Sequence, residues 1–354
     1  MMSKTLPLLS ELIRCKSLSS DLAAVNKAVQ VMQKFLQTNG VYCVLEEVRG
    51  RQVLYAATSP DKVQDVLLNS HLDVVPAEDK MFEPRVEGDR LYGRGSSDDL
   101  GNAVCVAQVL CRQLGKASVG AIFSTDEEIG GWTTEAMIQR GYIARKFALV
   151  LDGPSCQLAS AQKGILILKL TAQGRGGHAS EPWKFDNPID KLIDAYLRLR
   201  EQWPQVTADQ QWQNTMAPCV LQAGFANNQI PDEASMMLNF RYIRSEDRTV
   251  IFEQVQRLTG LEIEADRHCE PVVSDENAPE LQLLLRAIQK HFPERAAGFV
   301  RMNGATDARH MISMGVPIAI SSVAGDGCHS KCEWVDLSSI DKYITILEEV
   351  IAGI

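Results

Sequence analysis

Histidine and acidic side chains are the groups best able to hold a divalent cation or move a proton near neutral pH. Four places in this chain offer them directly after an apolar run. Residues 66–69 are followed by His71 and Asp73, and residues 119–123 by Asp126, Glu127 and Glu128. Residues 148–151 are followed by Asp152, and residues 318–323, after a short loop, by His329. Asp98 completes the set, in G-R-G-S-S-D-D-L-G at 93–101. Taken singly, each has an ordinary reading: a hydrogen-bonded pair, a solvated acidic step, a glycine turn with a helix cap. Together they sit at the ends of predicted strands. Ligands of an open α/β sheet gather outside the carboxyl ends of its strands, so residues as distant as 71 and 329 could converge there.

The elements that must position them follow from periodicity. A helix is predicted over 23–40, with Val25, Val29, Met32 and Leu36 spaced by three and four. Strands are predicted at 41–48, 53–57, 66–69, 119–123 and 148–151, and a helix over 102–114. Strands separated by helices imply a mostly parallel sheet with helices on both faces. From about residue 162 the pattern changes. Strand 164–172, helix 187–200, strands 219–225 and 234–242, helix 246–258 and strand 261–266 read as β-α-β-β-α-β, the ferredoxin-like unit. Helix 280–291, strand 318–323 and helix 337–351 then resume the first pattern. The expected fold is therefore α/β. A discontinuous domain of residues 1–161 and 271–354 carries an inserted domain of residues 162–270.

Composition narrows the function. The 354 residues carry 36 Lys and Arg against 45 Asp and Glu, a formal charge of −9, with no long basic run. A nucleic-acid partner needs clustered cations and is not expected. No stretch is long and apolar enough for a membrane span. The start, M-M-S-K-T-L-P-L-L-S, is interrupted by Glu11 and Arg14 and does not read as a secretory leader. Nine cysteines without a Cys-x-x-Cys pair suit reduced thiols and a cytoplasmic location. Cys328 and Cys332 flank His329 and raise a thiolate site as an alternative, but the carboxylates are the better ligand group.

The combined motifs resemble the co-catalytic zinc hydrolases, the family of acetylornithine deacetylase, succinyl-diaminopimelate desuccinylase, carboxypeptidase G and the tripeptide and carnosine dipeptidases. The matching stretches are H-L-D-V-V-P at 71–76, L-Y-G-R-G-S-S-D at 91–98, T-D-E-E-I-G at 125–130 and L-D-G-P at 151–154. G-G-H-A-S at 176–180, N-N-Q-I-P at 227–231 and G-C-H-S-K-C-E at 327–333 complete them, in the family's order over nearly the whole chain. The resemblance implies two Zn2+ ions, with Co2+ or Mn2+ as substitutes. His71 and His329 would each bind one ion, Asp98 would bridge them, and Glu128 and Asp152 would complete the two shells, in a pairing left open. Two metals at roughly 3.5–4 Å can activate water and polarise a carbonyl. Glu127 would be the general base and Asp73 would orient His71. His178, in the inserted domain, would stabilise an oxyanion, in the family often that of the partner subunit's site. Asn228 and Arg241 match positions used on a substrate carboxylate, and Asp307 and Arg309, in G-A-T-D-A-R, would support the site from behind. The inserted domain would serve as lid and homodimer interface, with hinges near 161 and 271. His268, His291 and His310 have no supporting pattern and are expected to be surface or core residues.

The implied reaction is hydrolysis of an amide or peptide bond in a small peptide or N-acyl amino acid. Asp at 152, where the biosynthetic deacylases usually have Glu, tilts the substrate towards a peptide. The alternatives are an N-acyl-amino-acid deacylase of the acetylornithine or succinyl-diaminopimelate type, and a non-catalytic protein that binds metal or a small acid. Glu127 argues against the second, because a pure binder needs no base there.

Overall fold

Four parallel strands lie at the centre of a computed structural model that describes residues 2–294 and 298–354. Strand Val63–His71 runs between Val119–Ser124 and Ile143–Ser155, parallel to both, and Ile318–Ser322 continues the parallel set beside Ile143–Ser155. The hairpin Tyr42–Val48/Arg51–Ala57 closes one side in antiparallel fashion. These are the strands whose apolar runs marked them in the sequence. Leu67, Leu68, Phe123, Leu149, Val150 and Ile320 are all buried, as a sheet covered on both faces requires. Truncating one of them, Phe123→Ala, should cost about 3–5 kcal/mol.

Helices cover this sheet, and local chemistry sets their ends. Leu22–Thr38 starts where the Asp21 carboxylate accepts from Ala23 N and Ala24 N, both at 3.1 Å. Leu337–Ala352 is capped in the same way by Asp336. Leu100–Gln113 is buried along nearly its whole length. The sequence reading assigned no helix to the chain's start, but Met2–Arg14 is helical and turns Leu8, Leu9, Leu12 and Ile13 into the core. It also missed a small antiparallel sheet of Gly325–Asp326, Trp334–Asp336, Arg90–Tyr92 and Arg85–Glu87. Two of its strands flank the loop that carries His329, and a third leads into the loop that carries Asp98. Among the described residues no helix is long and apolar enough to cross a membrane.

The chain divides into two compact units. One comprises Met1–Ala161, Val273–Met302 and Thr306–Ile354, and the other Gln162–Val272 with Asn303–Ala305. The second unit has strands Gly164–Gln173, Thr215–Ala223, Glu233–Tyr242 and Glu262–Cys269, with helices Pro188–Gln202 and Asp247–Thr259. Its antiparallel sheet runs, in space, second-third-first-fourth. Alternate residues of Gly164–Gln173 and Glu233–Tyr242 fill its core, including Leu166, Leu168, Leu238 and Phe240. Thr215–Ala223 forms one edge and is exposed along most of its length, with Leu221 64% accessible. The strand predicted at 219–225 thus begins four residues earlier and ends two earlier.

Candidate active site

The carboxyl ends of the four parallel strands supply most of the site. His71 is the last residue of its strand and lies buried. Its Nδ1 is 2.9 Å from the backbone oxygen of Asp73 and 3.4 Å from Asp73 Oδ1. Nε2 therefore faces outward and meets Asp98 Oδ1 at 3.0 Å. The other oxygen of Asp98 lies 3.1 Å from His329 Nε2. One carboxylate thus spans two imidazoles drawn from distant parts of the chain. His329 Nε2 is also 3.1 Å from Glu128 Oε1. His71, Glu127 and Asp152 form a second convergent group, with ligand atoms mutually within 4.8 Å. His71, Asp98 and Glu128 form another by the same measure. Glu128 thus meets His329 directly, while Asp152 gathers with His71 and Glu127.

Asp152 reaches this position through a bulge. Ile320 pairs with Val150 but Ser322 pairs with Ser155, so the strand carries extra residues where Asp152 and Gly153 turn. Bulges of this kind re-aim side chains next to sites. The Glu127–Glu128 turn is held by Asp73, whose carboxylate accepts from Glu127 N (3.1 Å), Glu128 N (3.4 Å) and Ser19 Oγ (2.7 Å). Asp73 therefore supports three site residues instead of His71 alone. Asp126 faces away from the cluster and accepts from Thr133 N and Thr133 Oγ1 at the start of helix Trp132–Gln139. Gly131 must be glycine: its φ is +70°, and a Cβ there would lie 2.1 Å from Asp307 Oδ1.

Behind Glu127 stand Arg309 and Asp307. Arg309 Nη1 donates to Glu127 Oε1 at 3.3 Å, and Arg309 Nη2 is 3.7 Å from Asp307 Oδ1. Thr134 donates to Asp307 Oδ2 at 2.6 Å. His310 is half-buried, 3.9 Å from Asp307. His291 pairs with Glu349 at 2.9 Å, and His268 is exposed on an edge strand.

The electrostatics show how much negative charge converges. Burial and Asp307 push the Glu127 carboxyl up to about 8, against His71 and Arg309. Burial and Glu127 push Asp152 well above the carboxylate range. Burial also raises Asp98, but hydrogen bonds from His329 and His71 outweigh it and hold the group low. Those to Asp98 and Glu128 lift His329 to about 10. Burial lowers His71, yet Asp73 and Asp98 keep it well above 6.5. Four carboxylates gathered around two imidazoles form a donor set that suits divalent zinc, and like charges this close call for cations between them. The thiolate alternative lacks this chemistry. The Cys328 sulfur faces Ser97 Oγ at 3.7 Å, and burial together with Asp98 pushes its thiol up to about 12.

Two further buried acids escaped the sequence reading. Asp99 accepts from Ser70 Oγ, His71 N (2.9 Å) and Asn102 Nδ2 (2.6 Å), and burial raises it to about 8. Glu333 accepts from the backbone of the Asp98 loop. Its presence in G-C-H-S-K-C-E was the one signal that could have drawn attention to it.

The remaining predicted residues belong to the second unit. Gly177–His178 pairs with Gln229–Ile230, and Ala179 N donates to Asn228 O at 2.9 Å, so His178 and Asn228 share one ribbon. His178 is exposed, and its Nδ1 accepts from Ser180 N at 3.2 Å. In the neutral ring that leaves the proton on Nε2. Arg241 Nε donates to Asn239 Oδ1 at 3.0 Å.

Fold and site together describe a hydrolase of the metallopeptidase or amidohydrolase class. Residues 67–353 match the model of "Peptidase family M20/M25/M40", and the chain belongs to that family. It is similar to a probable succinyl-diaminopimelate desuccinylase of Staphylococcus aureus (strain MRSA252), 24% identical over 331 residues, which cover 80% of this chain and 81% of that one. A family metallo-carboxypeptidase from Sulfolobus solfataricus superposes with a TM-score of 0.81 at 18% identity, covering 99% of both chains. A dinuclear metal binding peptidase from Bacillus subtilis does so with a TM-score of 0.71 at 14% identity, covering 99% and 98%.

Proposed function

We propose that this enzyme hydrolyses the amide bond of a small peptide at a centre of two zinc ions. The observation that carries the reading is the Asp98 carboxylate, which reaches His71 with one oxygen and His329 with the other. His71, Asp98 and Asp152 would hold one ion, and His329, Asp98 and Glu128 the other. Two cations there would lower the pKa of water and polarise the scissile carbonyl. Glu127, adjacent to ligand Glu128 but bonded to Arg309, would take the proton of the attacking water and deliver it to the leaving nitrogen. His178, with its proton on Nε2, is the donor for the developing oxyanion. Asn228 and Arg241 would hold a substrate carboxylate, for which a guanidinium fork is suited. The exposed edge strand Thr215–Ala223, with Val220 and Leu221 accessible, supports a homodimer that forms through the second unit.

Asp152 in place of Glu favours a peptide over an N-acyl amino acid. The test is hydrolysis of a panel of dipeptides, tripeptides and N-acetyl and N-succinyl amino acids, with zinc and with chelator. Chelator-sensitive peptide cleavage is the expected result. Cleavage of acyl amino acids alone would move the enzyme to the deacylases. No cleavage by zinc-loaded protein would sink the catalytic reading.

A further inference from the structure

We propose that Glu333 is a positioning residue that fixes Asp98 against His329, an inference that rests on the metal-centre reading above. Glu333 is buried, and both of its oxygens are fully used. Oε1 accepts from Ser97 N (2.9 Å) and from Asp98 N itself (3.0 Å). Oε2 accepts from Gly95 N (2.9 Å) and Arg94 Nη1 (2.5 Å). Arg94 Nη2 continues to Ser330 O at 3.0 Å, next to His329.

The chain places this carboxylate where two loops must be joined. Residues 327–333 bridge Gly325–Asp326 and Trp334–Asp336, and Trp334 pairs with Tyr92, which leads into residues 93–98. The short strands set the loops side by side but end before either ligand. From there, Glu333 and Arg94 join the Asp98 loop to the His329 loop, alongside the Cys328–Ser97 contact. A buried ion pair is by itself weak evidence of stability, since desolvation offsets its attraction. Three of the four bonds to Glu333 come from main-chain N–H groups of the ligand loop, so the carboxylate sets backbone geometry as well as pairing a charge. Partners that orient metal ligands typically contribute 10–100-fold in metal affinity.

The test compares wild type and Glu333→Gln by equilibrium dialysis against Zn2+, with far-UV circular dichroism on the metal-free proteins. Glutamine keeps the shape but turns one acceptor pair into a donor facing donors. The expected result is a native spectrum with zinc binding weakened 10–100-fold. A folded Glu333→Gln protein with wild-type zinc affinity overturns the proposal, even if its melting temperature falls. Should that variant not fold, Arg94→Lys is read instead. It keeps the charge beside Glu333 but cannot also reach Ser330 O, and weaker zinc binding is again expected. Unchanged affinity in folded Arg94→Lys overturns the proposal. Wild-type protein that binds no zinc would remove the metal centre and this inference with it, whereas intact wild-type binding with unaltered variants removes this inference alone.

Discussion

Asp73→Asn is the substitution whose effect the geometry constrains most closely. The carboxylate is fully buried and accepts from Glu127 N, Glu128 N and Ser19 Oγ, with His71 Nδ1 3.4 Å from Oδ1. Asparagine keeps the shape and one oxygen. If its NH2 replaces Oδ1, it faces the donors Glu127 N and His71 Nδ1. If it replaces Oδ2, Ser19 can rotate and accept, and only the long bond from Glu128 N is lost. The second orientation is therefore favoured. It leaves one backbone N–H unsatisfied, at a cost of about 1–3 kcal/mol, and removes the charge beside His71. Urea unfolding of the metal-free protein should show a loss of that size. The turn that carries Glu127 and Glu128, base and ligand in the proposed centre, is also loosened. The turnover number should then fall about 10–100-fold, in step with zinc affinity, because the same bonds orient base and ligand. The assay is steady-state hydrolysis of the best panel peptide alongside zinc titration. A variant that loses stability but keeps both turnover and zinc affinity would show that Asp73 only holds the fold.

Three further outcomes are expected. Glu127→Ala should retain its zinc by elemental analysis and lose about 10²–10⁴-fold in turnover, and near-normal hydrolysis would remove it as the general base. His329→Ala should bind one zinc equivalent fewer than wild type, and unchanged stoichiometry would contradict the ligand set. His178→Ala should lower the turnover number about 10²–10³-fold with metal content unaltered, whereas full activity would leave it a loop residue bonded to Ser180.

How far the sequence is legible depends on how far each element's cause lies from it along the chain. Strands such as Val119–Ser124 and Ile318–Ser322 are buried on both faces and read as apolar runs whatever they pair with. Helix Leu22–Thr38 carries its own stripe and its own cap. Strands Arg90–Tyr92 and Trp334–Asp336 have three residues each, too few to display a period. They exist because segments more than two hundred residues apart pair with each other, and neither segment announces this alone. Helix Met2–Arg14 was hidden differently: Pro7 lies inside it, and its apolar residues read equally well as an irregular patch.

The site divides along the same line. Residue type and strand end are local, so His71, Glu128, Asp152 and His329 stand out as candidates in the sequence, with Asp98 added from its glycine-rich loop and the roles implied by the resemblance. Direction is not local. Asp98 and Asp99 are adjacent and chemically identical, yet Asp98 meets two imidazoles while Asp99 turns inward to Ser70, His71 N and Asn102. Which of Glu128 and Asp152 accompanies which histidine was open for the same reason, and the contact of His329 with Glu128 supports the pairing proposed above. Glu333 is the extreme case, because three of its four partners are main-chain N–H groups more than two hundred residues away, and every residue but proline offers one. Its place in G-C-H-S-K-C-E marks the residue but not what it does. That role becomes visible only when the backbone donors of the Asp98 loop are followed to the atom that accepts them.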